Sequence, residues 1–453
     1  MTLLYGSPAA AGFDERVFRL AREIRAEVAE SLATEHPGGG GRHRDDVALR
    51  GVARGLAARA LDRRLTRDLA AGDIPPPAGH AEEIGELVMA MLFGLGLLQR
   101  FVDDPFVENI DVNGARRAFV TYADGRKESV GPVAESDDEL IAVIRAAGAR
   151  FGLAERRFDH AQPELDLRLP DGSRLSAVMS VTEHPVVDIR RHRLSDHRLD
   201  DLVSLGMLHE ELAAFLGAAV RAKRNLLVSG AMNAGKTTLL RALAAEIPAT
   251  ERIVTIEQAL ELGLDRQVDR HPDCVAMEAR LPNIEGVGAI SLAQLVRRSL
   301  RMNASRVIVG EVLGDEVIPM LNAMSQGRSG SMATIHADSS AGVFRRIAAY
   351  AVQAPERLPL EATNLLIAGS IHFVVHVDVA EAMPRAGSIR PVRRVASVRE
   401  VVDSDGSMIV SNEVFRPGSG GGAERGAPLR ESTAAALGLN GYDSRRFNRE
   451  ATW

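Results

Sequence analysis

Gly230-Ala231-Met232-Asn233-Ala234-Gly235-Lys236-Thr237-Thr238 carries the full G-x-x-x-x-G-K-[ST] pattern. Its neighbours supply the setting that the pattern requires. The apolar run Leu226-Leu227-Val228 leads into it, and good helix formers follow over residues 239–245. A chance match on a glycine-rich turn would lack this strand–loop–helix frame. The glycines let backbone N–H groups curl around phosphate oxygens, and the helix start adds a positive dipole end. Lys236 is placed to reach the β- and γ-phosphates, and the Thr237 hydroxyl to bind Mg²⁺.

Such a loop binds nucleotide, and rapid hydrolysis needs acids beside it. Two apolar segments end in a carboxylate: Arg306-Val307-Ile308-Val309-Gly310-Glu311 and Arg252-Ile253-Val254-Thr255-Ile256-Glu257. In open α/β sheets ligands sit at the carboxyl ends of the strands, so both acids are candidates to face the nucleotide. A strand-end acid is also commonly just solvated. His336 closes a further run, Met332-Ala333-Thr334-Ile335-His336, where it either senses the γ-phosphate or bonds a sheet neighbour.

The rest of the chain alternates around these runs. Beyond residue 205, strands expected near 225–229, 252–256, 306–309, 332–335 and 373–377 alternate with helices over 208–222, 237–246, 291–301, 315–326 and 340–352. That is the signature of a sheet covered by helices. A hairpin over 395–402 and 408–415 follows. Residues 80–200 read as an α+β domain, with a helix at 82–99, strands near 107–112 and 118–122, a helix at 136–150, and a hairpin turning at Pro170-Asp171-Gly172. Residues 1–79 form a helical extension interrupted by the glycine run 38–41 and closed by Pro75-Pro76-Pro77. The ATPase-type domain is expected over 201–416, and the Gly-, Ser- and Arg-rich tail 417–453 reads as disordered.

Composition excludes several classes. The 453 residues exceed one ordinary core. A net charge of -6 and 4% aromatics argue against a general nucleic-acid binder. The single cysteine, Cys274, rules out an internal disulfide framework and fits a reducing compartment. No apolar run approaches the about 20 residues that span a bilayer, and the N-terminus lacks the pattern of a signal peptide.

Taken in order, several segments resemble the secretion ATPases of type II and type IV systems and of type IV pili. The carriers are residues 165–174 with Arg168 and Arg174, the loop 230–238, Thr255-Ile256-Glu257, Asn283-Ile284-Glu285-Gly286, Leu300-Arg301-Met302, Val309-Gly310-Glu311-Val312, and residues 330–337 with His336. The nearest branch is the tight-adherence (Flp) pilus and conjugation-type group. The resemblance implies an α/β protein with a C-terminal RecA-like P-loop NTPase domain, an α+β N-terminal domain, and a homo-hexameric ring. ATP, with Mg²⁺ on Thr237 and Glu311, would bind between the domains at a subunit boundary. Glu257 looks like the water-activating group and Glu311 like the Walker B glutamate, and these two roles are exchangeable. His336 falls in the family's histidine box, and Arg168 and Arg174 match arginines that reach the nucleotide in relatives. The implied work is assembling a Flp/Tad pilus, or type II/IV secretion, through inner-membrane platform proteins. That places the chain in the cytoplasm, peripheral to the inner face of the membrane, with no nucleic acid expected. A nucleic-acid translocase and a slow nucleotide-dependent scaffold are the competing readings. Four departures from the family pattern point to slow hydrolysis: Gln258 after Glu257, Leu313 after Val312, Arg328 in the segment 327–330, and Asn303-Ala304-Ser305 before Arg306.

Overall fold

The computed structural model describes residues 15–35, 45–72, 80–152, 157–191, 197–280, 282, 286–326, 329–380 and 392–443. The glycine run 38–41, the prolines 75–77, residues 283–285 and Arg328 lie outside them. The chain divides into two compact units, Met1–Arg193 and Leu194–Trp453.

The first unit opens with helices Glu15–Glu35, Asp45–Ala71 and His80–Phe93, which share an apolar core of their own around Ala21, Ile24, Ala57, Ile84 and Val88. The segment from residue 80, expected in the α+β domain, therefore packs first with the N-terminal helices. Arg63 with Glu27, Arg64 with Glu23 and Arg54 with Glu86 tie the three helices together at their exposed edges. The expected helix 82–99 ends at Phe93, and Gly96, in the left-handed region at φ 58, marks the break.

A six-stranded antiparallel sheet follows, from β1 (Val107–Asn113), β2 (Ala118–Tyr122), β3 (Lys127–Ser129), β4 (Glu164–Arg168), β5 (Arg174–Val178) and β6 (Val186–Arg190), in the order β3-β2-β1-β6-β5-β4. Alternating residues such as Ile110, Val112, Val120, Leu165, Leu167 and Leu175 face a core shared with helix Asp137–Phe151. Ser136 caps that helix by accepting from the Glu139 N–H at 3.2 Å.

The second unit is a nine-stranded sheet. Its strands are β7 (Leu226–Gly230), β8 (Ile253–Glu257), β9 (Cys274–Glu278), β10 (Arg306–Val312), β11 (Met332–His336), β12 (Phe373–Ala380), β13 (Val392–Ser404), β14 (Ile409–Pro417) and β15 (Ala423–Arg425). They lie in the order β15-β14-β13-β12-β7-β11-β10-β8-β9. The strands from β12 to β9 run parallel, and β13 to β15 add antiparallel pairs. β7 and β8 are buried at every position, as strands covered on both faces must be. Alternate side chains supply two cores. Leu226, Val228, Ile253, Ile308 and Val375 face helices Glu210–Arg221 and Lys236–Ala244. Leu227, Val254, Val307, Val309 and Val374 face helices Leu292–Ser299, Val317–Ser325, Gly342–Gln353 and Leu360–Ser370.

The tail is a correction over residues 417–443, and residues 444–453 lie outside the described ones. Strand β15 and helix Glu431–Gly438 are folded onto the second unit, where the sequence reading expects disorder. Leu437 is fully buried and Tyr442 stacks edge-on against Phe215 at 5.4 Å. The Arg430 guanidinium donates to Glu400 Oε1 at 3.0 Å and to the Val401 and Val402 carbonyls. A few well-spaced anchors outweigh a Gly- and Ser-rich composition, because each is buried or paired.

Candidate functional site

Four parallel strands end side by side at the phosphate-binding loop. β7 runs into Gly230, where a Cβ would strike the Val377 carbonyl oxygen of β12. Only glycine fits that close approach. The loop then turns through Asn233 at φ 60 and Gly235 at φ 95 before helix Lys236–Ala244 begins. The first-turn N–H groups of a helix have no partner within it, which is what an anion needs.

Lys236 is 7% exposed, and its Nζ donates to the Ala231 carbonyl at 2.9 Å. Burial pulls the ammonium pKa down, and the charge of Glu311 pulls it partly back. Nζ also lies 3.1 Å from His336 Nδ1, and His336 Nε2 lies 2.6 Å from Glu311 Oε1. An ammonium can only donate, so Nδ1 accepts and Nε2 carries the ring proton toward Glu311. The imidazole thus bridges the loop lysine and the strand-end carboxylate. The contact follows from register: β11 lies between β7 and β10, with His336 opposite Gly230.

Glu257 ends β8 and is 3% exposed. Its Oε1 accepts from the Glu261 and Leu262 N–H groups, each at 2.9 Å. Its stem lies against Gly310, where an added Cβ would come within 2.9 Å of Glu257 Cγ. The glycine of Val309-Gly310-Glu311 is therefore required by the neighbouring acid. Thr334 of the neighbouring β11 ties in this point of β10 by donating to the Gly310 carbonyl at 2.6 Å.

Arg168 and Arg174 face each other across the β4–β5 hairpin of the first unit. Arg191 belongs to the same unit's interior bonding, 3.7 Å from Asp171 and donating to the Asp104 carbonyl.

The sequence reading misses three supports. Glu316 accepts from the Leu313 and Gly314 N–H groups and shapes the turn after Glu311. Burial pushes its carboxyl pKa up, against those backbone donors. Asn225 is buried and uses all four bonding directions: Nδ2 donates to the Met324 and Ser370 carbonyls, and Oδ1 accepts from Gly330 and Ser331 N–H. Arg393 donates through Nε to the Asn233 carbonyl at 2.9 Å.

A parallel sheet with this loop, a lysine at its helix start and carboxylates at the adjoining strand ends defines a P-loop nucleotide-binding domain. The chain belongs to the type II/IV secretion system protein family, whose model matches residues 93–392. It is 33% identical over 305 residues to a putative conjugal transfer protein of Mycobacterium tuberculosis, covering 65% of this chain and 78% of that protein. It is 29% identical over 313 residues to the type IV secretion system protein VirB11 of Brucella suis, covering 63% and 84% respectively. The crystal structure of the Brucella suis VirB11 ATPase in complex with sulphate is 26% identical, covers 68% of this chain and 95% of that chain, and has a TM-score of 0.34. The protein is a secretion ATPase with a RecA-like nucleotide-binding domain. Among the described residues, no helix is long and apolar enough to cross a membrane.

Proposed function

We propose that this ATPase works as a homo-hexameric ring at the inner face of the cytoplasmic membrane, driving an inner-membrane platform that assembles a tight-adherence pilus or secretes protein. The observation that carries this reading is the continuous chain Lys236–His336–Glu311, at 3.1 and 2.6 Å. It couples the phosphate-binding loop to a neighbouring strand end, as a machine that converts phosphate state into motion requires. The pilus branch rests on the ordered sequence motifs. The net charge of -6 and 4% aromatics support a protein cargo over nucleic acid.

The donors fit Mg²⁺. Among the described residues no group of three or more His, Cys, Asp and Glu forms a metal cage. Mg²⁺ in such sites is held mostly by phosphate and water, with one or two hard protein oxygens. The Thr237 hydroxyl and the Glu311 carboxylate are of that kind, and bound Mg²⁺ supplies neutralisation of the developing phosphate charge. Lys236 and the N–H groups of 230–238 bind the phosphates. His336 reports their presence to Glu311. Glu257 orients water once the Glu261–Leu262 backbone releases it. Arg168 and Arg174 stabilise the transferring phosphoryl group.

Steady-state ATP hydrolysis by wild type, Glu257→Gln and Lys236→Ala tests this, each with anionic liposomes, with DNA, or alone. Turnover lost in both variants and indifferent to DNA supports the motor. Stimulation by DNA would move the assignment to a nucleic-acid translocase. Turnover that survives Lys236→Ala would remove the active site from this loop.

A further inference from the structure

We propose that Arg393 is a positioning residue for nucleotide binding, holding the crest of the phosphate-binding loop from the C-terminal hairpin of the same chain. The inference rests on nucleotide binding at residues 230–238 and assigns part of that binding to a strand outside the motif.

The sheet brings it there. Arg393 stands near the start of β13, opposite Val379 of β12, and β12 lies beside β7 with Val377 opposite Gly230. The register therefore places Arg393 just past the end of the strand that feeds the loop. Its Nε donates to the Asn233 carbonyl at 2.9 Å, and its Cδ lies 3.2 Å from where a Cβ on Gly235 would stand. The side chain thus lies along the loop crest while remaining exposed.

The held carbonyl is the consequential one. Asn233 sits at φ 60, a left-handed conformation that a residue with a side chain adopts at a cost and keeps only when its surroundings hold it. The peptide bond is planar, so fixing the Asn233 carbonyl fixes the opposite direction of the Ala234 N–H. That N–H closes on the Ala231 carbonyl at 3.3 Å, the same oxygen that receives Lys236 Nζ at 2.9 Å. One guanidinium therefore sets a peptide plane, the plane closes the turn, and the turn presents the carbonyl on which the loop lysine rests. A charge-assisted bond is strong enough for this role where a neutral one is marginal. The exposed cation also adds long-range attraction for di- and triphosphate nucleotides.

The test uses the full chain, titrated with fluorescent ATP and ADP analogues, and hydrogen exchange of the loop peptide. The variants are Arg393→Ala, Arg393→Gln and Arg393→Lys, with Lys236→Ala alongside. Arg393→Ala and Arg393→Gln are expected to weaken both nucleotides roughly tenfold, the scale of one lost charged hydrogen bond. Faster exchange over 230–236 and an unchanged melting temperature go with it. Arg393→Lys keeps the charge and loses the Nε donor, and falls between. Wild-type affinity and exchange in both the Ala and Gln variants, with nucleotide lost in Lys236→Ala, overturns the inference and leaves the loop's role standing. Wild-type affinity in Lys236→Ala as well overturns both. Weaker binding that comes only with a lowered melting temperature in both variants also overturns it, because Arg393 would then serve the sheet alone.

Discussion

Replacing Glu251 by alanine should destabilise the second unit by about 3 kcal/mol. Arg306 opens β10 and is fully buried, an unusual place for a guanidinium. It is held by a two-pronged pair to Glu251, Nε to Oε2 at 2.9 Å and Nη2 to Oε1 at 2.8 Å, and by the Val220 and Gly330 carbonyls at 2.7 and 3.3 Å. Breaking a buried pair by removing one partner costs about 3–5 kcal/mol, because the other charge is left uncompensated. Two carbonyls would still serve Arg306, so the lower end applies. Lys223, 3.2 Å from Glu251 and half exposed, adds little. Urea unfolding followed by circular dichroism reads this as about a hundredfold loss in the folded-to-unfolded ratio. The acid dependence has a definite sign. Burial alone would raise the Glu251 carboxyl, but the hydrogen bonds and charges of Arg306 and Lys223 outweigh it and hold the pKa below the usual value. A depressed carboxylate contributes stability above its unfolded pKa and loses it as pH falls through the folded one. The gap between wild type and variant should therefore close in acid. A loss under about 0.5 kcal/mol at pH 7, or a gap that widens in acid, would refute the reasoning. Arg306→Met with Glu251→Leu should recover much of the loss, since a matched apolar replacement of a buried pair is often neutral.

His336→Ala removes the bridge between Lys236 and Glu311 and should lower single-turnover hydrolysis by more than about tenfold while ATP affinity changes little. A wild-type rate would make the histidine merely structural. Burial lowers the His372 pKa to about 4, helped by the Arg224 and Arg430 charges, while its Nδ1 accepts from the Asn225 N–H at 3.1 Å. Its folded pKa lies below the unfolded one, so the unfolded chain binds the extra proton between the two. Stability should fall by up to about 3 kcal/mol as pH drops from about 6.5 to about 4. The slope should flatten in His372→Gln, measured by urea unfolding across that range, and an identical slope would exclude His372 as its source.

The parts of the site readable in the sequence are those where local pattern and burial coincide. The runs before Gly230, Glu257, Glu311 and His336 are apolar because parallel strands covered on both faces leave no polar side. Their ends mark the loop face of the sheet. The supports were illegible for a different reason. Asn225, Glu251, Glu316 and Arg393 are polar residues whose partners lie far along the chain or across a turn, and nothing in their neighbours announces a partner. The tail misled because its composition is that of a linker, while Arg430, Leu437 and Tyr442 decide its placement. Helix Leu360–Ser370 was missed because Thr363 and Asn364, which look polar, are turned inward, with Asn364 Nδ2 donating to the Gly406 and Ser407 carbonyls of the β13–β14 turn.

The spatial order of the strands then gathers distant parts of the chain into one row. Along the sheet, β7, β11, β10 and β8 stand side by side, so the loop, His336, Glu311 and Glu257 form one row although the chain visits them in another order. The row is graded by burial. Glu311 and His336 are about one-third exposed, whereas Glu257 is 3% exposed and held by backbone N–H groups. A change at Lys236 can therefore pass to His336 and Glu311 by exchanging hydrogen bonds. For Glu257 to free Oε1, the loop at Glu261 and Leu262 must move. If Glu257 activates water, hydrolysis waits on that backbone step, and a substitution that loosens the loop without touching the acid should raise turnover. Leu262→Ala does so by deleting a fully buried side chain beneath the loop. A stable Leu262→Ala protein with unchanged turnover would place the limiting step elsewhere.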